Sequence, residues 1–203
     1  MKKVRAVGLL GGSFNPAHEG HRRLSLAALG RLRLDEVWWL VSPQNPLKPE
    51  TGMAPLAARL ASARKVARHP RIRVTDWEAR QGTRYTVDTV AALLARFPHL
   101  RFVWLMGADN LLELHRWTRW RTLLRRLPVV VAPRPGYMRW ATAPAVRWVG
   151  GIRRSSPARW RCCPLPAVFL LNLRPDSRSA TAIRARDPRW AEAEIHRPQG
   201  PVG

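Results

Sequence analysis

Cysteine is nearly absent from this chain: two among 203 residues, and those two, Cys162 and Cys163, are adjacent. Neighbouring cysteines rarely close an unstrained bridge, so a disulfide framework is not expected and a reducing compartment fits. Long apolar runs are missing as well. None reaches the ~18 residues that a membrane-spanning helix needs, so no membrane span is expected. Met1-Lys2-Lys3-Val4 sets basic residues before an apolar stretch, as a secretory signal does. That stretch is short and is used by a glycine motif, so a cytoplasmic protein is expected. Acidic residues are scarce, 13 against 36 lysines and arginines, which leaves a net charge of +23. Lysine itself is rare, confined to Lys2, Lys3, Lys48 and Lys65, so the excess is arginine. Such an excess commonly marks a nucleic-acid binder. Here it is spread along the chain, with no RNP pattern, zinc finger or basic zipper beside it. Small anionic substrates are the favoured reading, and nucleic acid the alternative.

What is present is concentrated near the start. An apolar run from Val4 to Leu10 leads into Gly11-Gly12-Ser13-Phe14-Asn15-Pro16-Ala17-His18-Glu19-Gly20-His21. A strand that breaks at two glycines and then opens a helix is suited to phosphate. The glycines admit an anion close to the backbone, and the new helix offers its first N–H groups. His18 and His21, three residues apart, project to the same side of a helical turn. The dinucleotide fingerprint is excluded because the glycines are adjacent, and the P-loop because no Gly-Lys-Ser/Thr closes the turn. A strand-turn-helix with surface histidines and an i,i+3 metal pair are the bland alternatives. The metal pair lacks an evident third ligand, so no metal site is expected.

Strand-like and helix-like segments alternate along the rest of the chain. Strands are expected at Glu36 to Ser42, Arg71 to Thr75, Arg101 to Met106, Pro128 to Ala132 and Ala167 to Asn172. Helices are expected at 20–32, 57–68, 86–96, 111–114 and 120–127. At 203 residues this suits one α/β domain over 1–186 with a doubly wound parallel sheet, and a mobile tail over 187–203. Ligands of such sheets bind at the carboxyl ends of the strands, which is where the loops after Leu10, Ser42 and Met106 would lie. The stretch 138–166, dense in Arg, Trp and Pro, shows no clean period and is not assigned.

A second anchor is Ser179-Ala-Thr181-Ala-Ile-Arg184. A serine N-cap, a threonine in the first turn and an arginine one turn on can grip phosphate by hydroxyl, N–H and guanidinium together. An ordinary capped helix reads equally well from these residues alone. The first motif resembles the G-G-x-F-x-P-x-H-x-G-H signature of the nucleotidyltransferase superfamily, and the second its S-S/T/A-T-x-I/V-R motif. Between them, Trp39 to Lys48, Tyr85 to Thr89, Met106 to Asn110 and Leu114 to Trp120 are similar to the nicotinate-nucleotide adenylyltransferase family. That resemblance runs from Val4 to Pro135 and returns at Ser179 to Arg184.

The resemblance implies a Rossmann-like fold and transfer of AMP from ATP to nicotinate mononucleotide, with Mg²⁺ accompanying the ATP. Gly11, Gly12, Ser13, Phe14, His18 and His21, with Ser179, Thr181 and Arg184, would hold the ATP phosphates. Gly107 and Asp109 would contact the adenosine ribose. Trp117 would stack on the nicotinate ring beside Thr86, and Asn45, Lys48 and Arg134 would take the mononucleotide phosphate. His18, His21, Lys48 and Arg184 would carry catalysis. The attacking phosphate is already an anion, so such a reaction rests on positioning and positive charge and needs no general base. Core packing is the competing reading of Trp117 in a chain with ten tryptophans. Arg178 stands where the family usually has an apolar residue, and the C-terminal segment departs from the family pattern. Phosphopantetheine adenylyltransferase, which shares both end motifs, and an inactive nucleic-acid-binding relative are the rival readings. A monomer and a homo-oligomer are both compatible with the sequence.

Overall fold

Leu9 and Leu10, Trp38 and Trp39, and Trp104 and Leu105 are sequence neighbours that enter two different cores. That division is the alternation of a strand buried on both faces. The structure, a computed structural model, describes residues 4–44, 51–152, 157–174 and 176–195. Its strands are β1 (Arg5–Gly12), β2 (Glu36–Val41), β3 (Ile72–Thr75), β4 (Leu100–Gly107), β5 (Val129–Ala132) and β6 (Val168–Leu170). They form one parallel sheet in the order β3-β2-β1-β4-β5-β6. In β1, Leu10 pairs with Trp39 of β2 and with Leu105 of β4. The winding reverses between β1 and β4, so the switch point lies where β1 ends in its two glycines.

One face is covered by α1 (Glu19–Arg31) and α2 (Leu56–Ala67), which bring Leu24, Ala28, Leu29, Leu60 and Ala63 onto Leu10, Trp39 and Leu105. A short α3 (Trp77–Gln81), absent from the sequence-based assignment, follows β3. The other face is covered by α4 (Thr86–Arg96), α5 (Ala108–Glu113), α6 (Trp120–Arg126) and α7 (Pro144–Trp148), through Val90, Leu93, Leu111, Leu123 and Val146. Each such aliphatic side chain, fully buried, contributes about 1.5–3 kcal/mol before conformational entropy is charged against it.

The unassigned stretch is used by both cores. Ala145 and Val146 of α7 join the second, while Trp160, in a 3-10 turn, joins the first and donates its indole N–H to the Leu32 carbonyl at 3.1 Å. Two more helices follow, α8 (Ala180–Arg186) and α9 (Trp190–Ile195). The segment from Asp187, expected as a mobile tail, contains α9. Trp190 is buried, and Glu194 of α9 pairs with Lys65 of α2 at 2.8 Å. Residues 196–203 lie outside the described residues. No described helix is long and apolar enough to cross a membrane.

Candidate active site

Where β1 leaves the sheet, the two glycines serve different needs. A Cβ on Gly11 would stand 2.6 Å from the ring of Trp104, so close packing against β4 requires glycine there. A Cβ on Gly12 would meet only the Phe14 ring, at an ordinary 3.6 Å. Phe14 follows with φ of 47°, in the left-handed region that side chains resist. Such a backbone costs on the order of 1–3 kcal/mol, offset here by its ring. That ring stacks on Trp39 at 5.0 Å and touches His21 at 4.8 Å. Trp39 in turn donates to the buried Ser25 hydroxyl, which donates to the His21 carbonyl.

The two histidines form a reciprocal cap on α1. His18 Nδ1 accepts the Gly20 N–H at 3.1 Å, and His21 Nδ1 accepts the His18 N–H at 3.1 Å. A ring nitrogen that accepts carries no proton, so the neutral ring of each holds its proton on Nε2. Burial, aided by the charge of Arg134, lowers the His18 pKa to about 4, with Asp176 and Asp109 pulling the other way. His18 is therefore neutral at pH 7, with its proton on Nε2.

Ser179 caps α8, accepting the Ala182 N–H at 3.2 Å. Arg184, one turn on, bonds the Thr181 hydroxyl and reaches across to the Asn15 carbonyl. The two sequence motifs, separated by 169 residues at that bond, thus meet directly. Beside them Asp176 accepts from Arg23 at 2.7 Å and from Arg178 at 2.7 and 2.9 Å. The Arg178 guanidinium holds its carboxyl well below the usual carboxylate range. Arg178, the departure from the family pattern, is therefore one arm of a bidentate ion pair. Arg134 pairs with Asp109 at 2.7 Å and donates to the Arg178 carbonyl at 3.3 Å. This sets Arg134 beside the ribose candidate Asp109 and the second phosphate motif. Asp109 lines the cavity, and its Oδ1 is buried with no hydrogen-bond partner among the described residues.

On the opposite wall, Thr86 opens α4, and Trp117 stands edge-on to Trp104 with ring centres 6.3 Å apart. Both line the cavity, so Trp117 packs on the core through one edge while presenting surface to the site. Glu78 of α3 lines it too, almost fully buried. Burial pushes its carboxyl pKa up, while hydrogen bonds from Ser42 and Thr89 oppose the shift. Nothing local in the sequence singled out Glu78, Asp176 or Arg23, since their partners are remote. Asn45 and Lys48 lie outside the described residues.

These walls enclose a cavity of about 660 Å³ at the carboxyl ends of β1 and β4. Gly11, Gly12, Ser13, Phe14, His18 and His21 line one side, Gly107, Asp109 and Arg134 another, Ser179 and Thr181 a third. Arg184 stands behind this lining, its guanidinium on Asn15 and Thr181. Fold and site together define an α/β protein of the nucleotidyltransferase class. The cytidylyltransferase-like family model matches residues 9–186. A probable nicotinate-nucleotide adenylyltransferase of Erythrobacter litoralis is 58% identical over 94% of this chain and 88% of its own length. One from Parvibaculum lavamentivorans is 54% identical over 89% and 91%. The fold is also that of the nicotinic acid mononucleotide adenylyltransferase of Plasmodium falciparum, with TM-score 0.67 at 14% identity over 94% of each chain. The chain belongs to the cytidylyltransferase-like family, within its nicotinate-nucleotide adenylyltransferase branch.

Proposed function

We propose that this protein transfers AMP from ATP to nicotinate mononucleotide, releasing pyrophosphate and forming deamido-NAD. The observation that carries this reading is the meeting of two phosphate-type motifs at one cavity, where Arg184 bonds the Asn15 carbonyl. A phosphate oxygen of the mononucleotide attacks the α-phosphorus of ATP. The new P–O bond forms as the bond from the α-phosphorus to the bridging oxygen breaks, and the electron pair leaves with pyrophosphate. The attacking oxygen carries no proton that must be removed, so no general base is assigned. His18 and His21 donate from Nε2 to phosphate oxygens as charge moves toward the leaving group. The N–H groups at the start of α1 and the hydroxyls of Ser179 and Thr181 fix the chain of phosphates. Arg184 aligns the two motifs through Asn15 and Thr181, and its charge adds to the field at the phosphates.

Asp109, which lines the cavity beside Gly107, is assigned to a ribose hydroxyl of ATP. Trp117 offers a ring face to the electron-poor pyridine, with Thr86 beside it. Lys48 and Asn45 are assigned to the mononucleotide phosphate from sequence. Arg134, paired with Asp109, is assigned with them to the mononucleotide phosphate. Of the cavity carboxylates, Asp109 and Asp176 are engaged by arginines and Glu78 by hydrogen bonds from Ser42 and Thr89, and no three His, Cys, Asp or Glu side chains gather among the described residues. That donor set suits a Mg²⁺ ion carried on the triphosphate as part of the substrate, where it would offset charge on the leaving pyrophosphate. A cytoplasmic location accords with the reading.

The test is product analysis by mass after incubation with MgATP and nicotinate mononucleotide, nicotinamide mononucleotide or phosphopantetheine. Deamido-NAD as the dominant product supports the assignment. Product only with phosphopantetheine would move the protein to the neighbouring branch, and salt-dependent RNA binding with no product in any arm would remove it from catalysis.

A further inference from the structure

Arg59 is the most deeply buried charged side chain of α2, at 1% exposure, and it does not line the cavity. Burying a guanidinium is costly unless every donor finds an acceptor. Among the described residues its partners are all main-chain carbonyls. Nε donates to Ala54 at 2.8 Å, one terminal nitrogen to Ser13 at 2.9 Å and Ser42 at 2.6 Å, the other to Pro43 at 2.8 Å. These carbonyls belong to two segments. Ser13 is in the phosphate loop, whereas Ser42, Pro43 and Ala54 are the two ends of the loop that contains Asn45 and Lys48. One rigid fork therefore holds the phosphate loop and both roots of the neighbouring loop at fixed separation.

We propose that Arg59 is a positioning residue that sets the register between the ATP loop and the mononucleotide loop; this rests on the adenylyltransferase reading above. Two features extend the argument beyond ordinary packing. A trans peptide points its C=O and N–H in opposite directions, so anchoring the Ser13 carbonyl aims the Phe14 N–H away from Arg59. Phe14 lines the cavity, and that N–H is thereby held for an anion. The junction is also shared. Asn15 donates to the Gly52 carbonyl at 2.8 Å and accepts the Ala54 N–H at 3.2 Å, while its own carbonyl accepts from Arg184. Arg59 and Asn15 thus link both phosphate motifs to the loop that begins at Ser42. A lysine has one nitrogen where four acceptors on three sides need a planar fork, so it cannot replace the arginine.

The experiment compares wild type, Arg59→Lys and Asn15→Leu by far-UV circular dichroism, thermal melting and steady-state kinetics with MgATP and nicotinate mononucleotide. Arg59→Lys is expected to keep its fold and a cooperative melt, lower kcat about a hundred-fold and raise the KM of both substrates, as an ångström-scale misplacement would. Asn15→Leu leaves the Arg59 charge in place and is expected to raise both KM values as well. If Arg59→Lys loses its cooperative melt, Asn15→Leu alone decides. Wild-type constants per folded molecule in the deciding variant overturn the proposal. A wild-type protein with no turnover at all would instead reject the underlying adenylyltransferase reading.

Discussion

The rings of His18 and His21 lie 3.9 Å apart, and each commits its Nδ1 to a backbone N–H at the start of α1. The pair is thus the cap of the helix and part of the cavity lining, and the proposed function adds donation to phosphate. These two roles separate experimentally. Asparagine is a good N-cap but lacks the reach of an imidazole. His18→Asn should therefore hold stability within about 1 kcal/mol, while turnover falls roughly a hundred- to a thousand-fold, the loss typical of a transition-state donor. Urea unfolding beside kcat measures both. Undiminished turnover would remove His18 from the chemistry.

The same residue makes stability depend on pH. His18 takes a proton at about pH 4 when folded but near 6.5 when unfolded. The unfolded chain binds the proton first, so stability is intact above pH 6.5 and is lost as pH falls toward 4, by no more than about 3 kcal/mol. Arg134 and Arg178 favour the neutral ring, Asp176 and Asp109 the charged one. Glu78, whose carboxyl burial pushes up, acts in the opposite sense in the lower part of this window. Asp176, held far below its ordinary value, contributes mainly at lower pH. The quantity to measure is the difference between wild type and His18→Asn from pH 7.5 to 4.5. Wild type should lose more stability over that range; parallel curves would contradict the shift.

Gly20 separates the two histidines, and a Cβ there would lie 2.8 Å from the His18 ring. Gly20→Ala should displace that ring. Alanine is itself the better helix former, by about 1 kcal/mol, so the melting temperature is expected to hold or rise. Turnover should drop about a hundred-fold through misplacement alone. Equal turnover in Gly20→Ala and wild type would show that the ring has room to move.

Asp109 offers one oxygen to Arg134, and the other is buried with no partner among the described residues. Asp109→Asn is expected to raise the KM of ATP about ten-fold, the loss of one charged hydrogen bond. The KM of nicotinate mononucleotide should stay near wild type. A shift confined to the mononucleotide would exchange the two binding assignments.

The sequence reading succeeded where information is local. Val4 to Leu10 and Arg101 to Met106 read as strands because, Arg5 and Arg101 aside, their residues are glycine or apolar, as in a doubly covered strand. Thr86–Arg96 matched its assigned helix because Val87, Val90 and Leu93 repeat at helical spacing. The loop from Gly11 to His21 and the segment Ser179 to Arg184 are short and carry their own caps. Arg59 and Glu78 were illegible because each is a single polar residue on a helix whose partners lie elsewhere. The bond from Arg59 to Ser13 spans 46 positions, and that from Arg23 to Asp176 spans 153. The stretch 138–166 failed for a different reason. Its described residues include 3-10 turns and a five-residue helix, too short to show a period. The helix α9 was not legible because the burial of Trp190 and the pairing of Glu194 with Lys65 of α2 are set only in three dimensions.

The most direct measurement is pyrophosphate release by the purified protein with MgATP, with and without nicotinate mononucleotide. Release that requires the mononucleotide, matches deamido-NAD formed mole for mole, and falls roughly a hundred- to a thousand-fold in His18→Asn is the expected result. Release independent of the mononucleotide, or none from folded wild-type protein, would contradict the assignment.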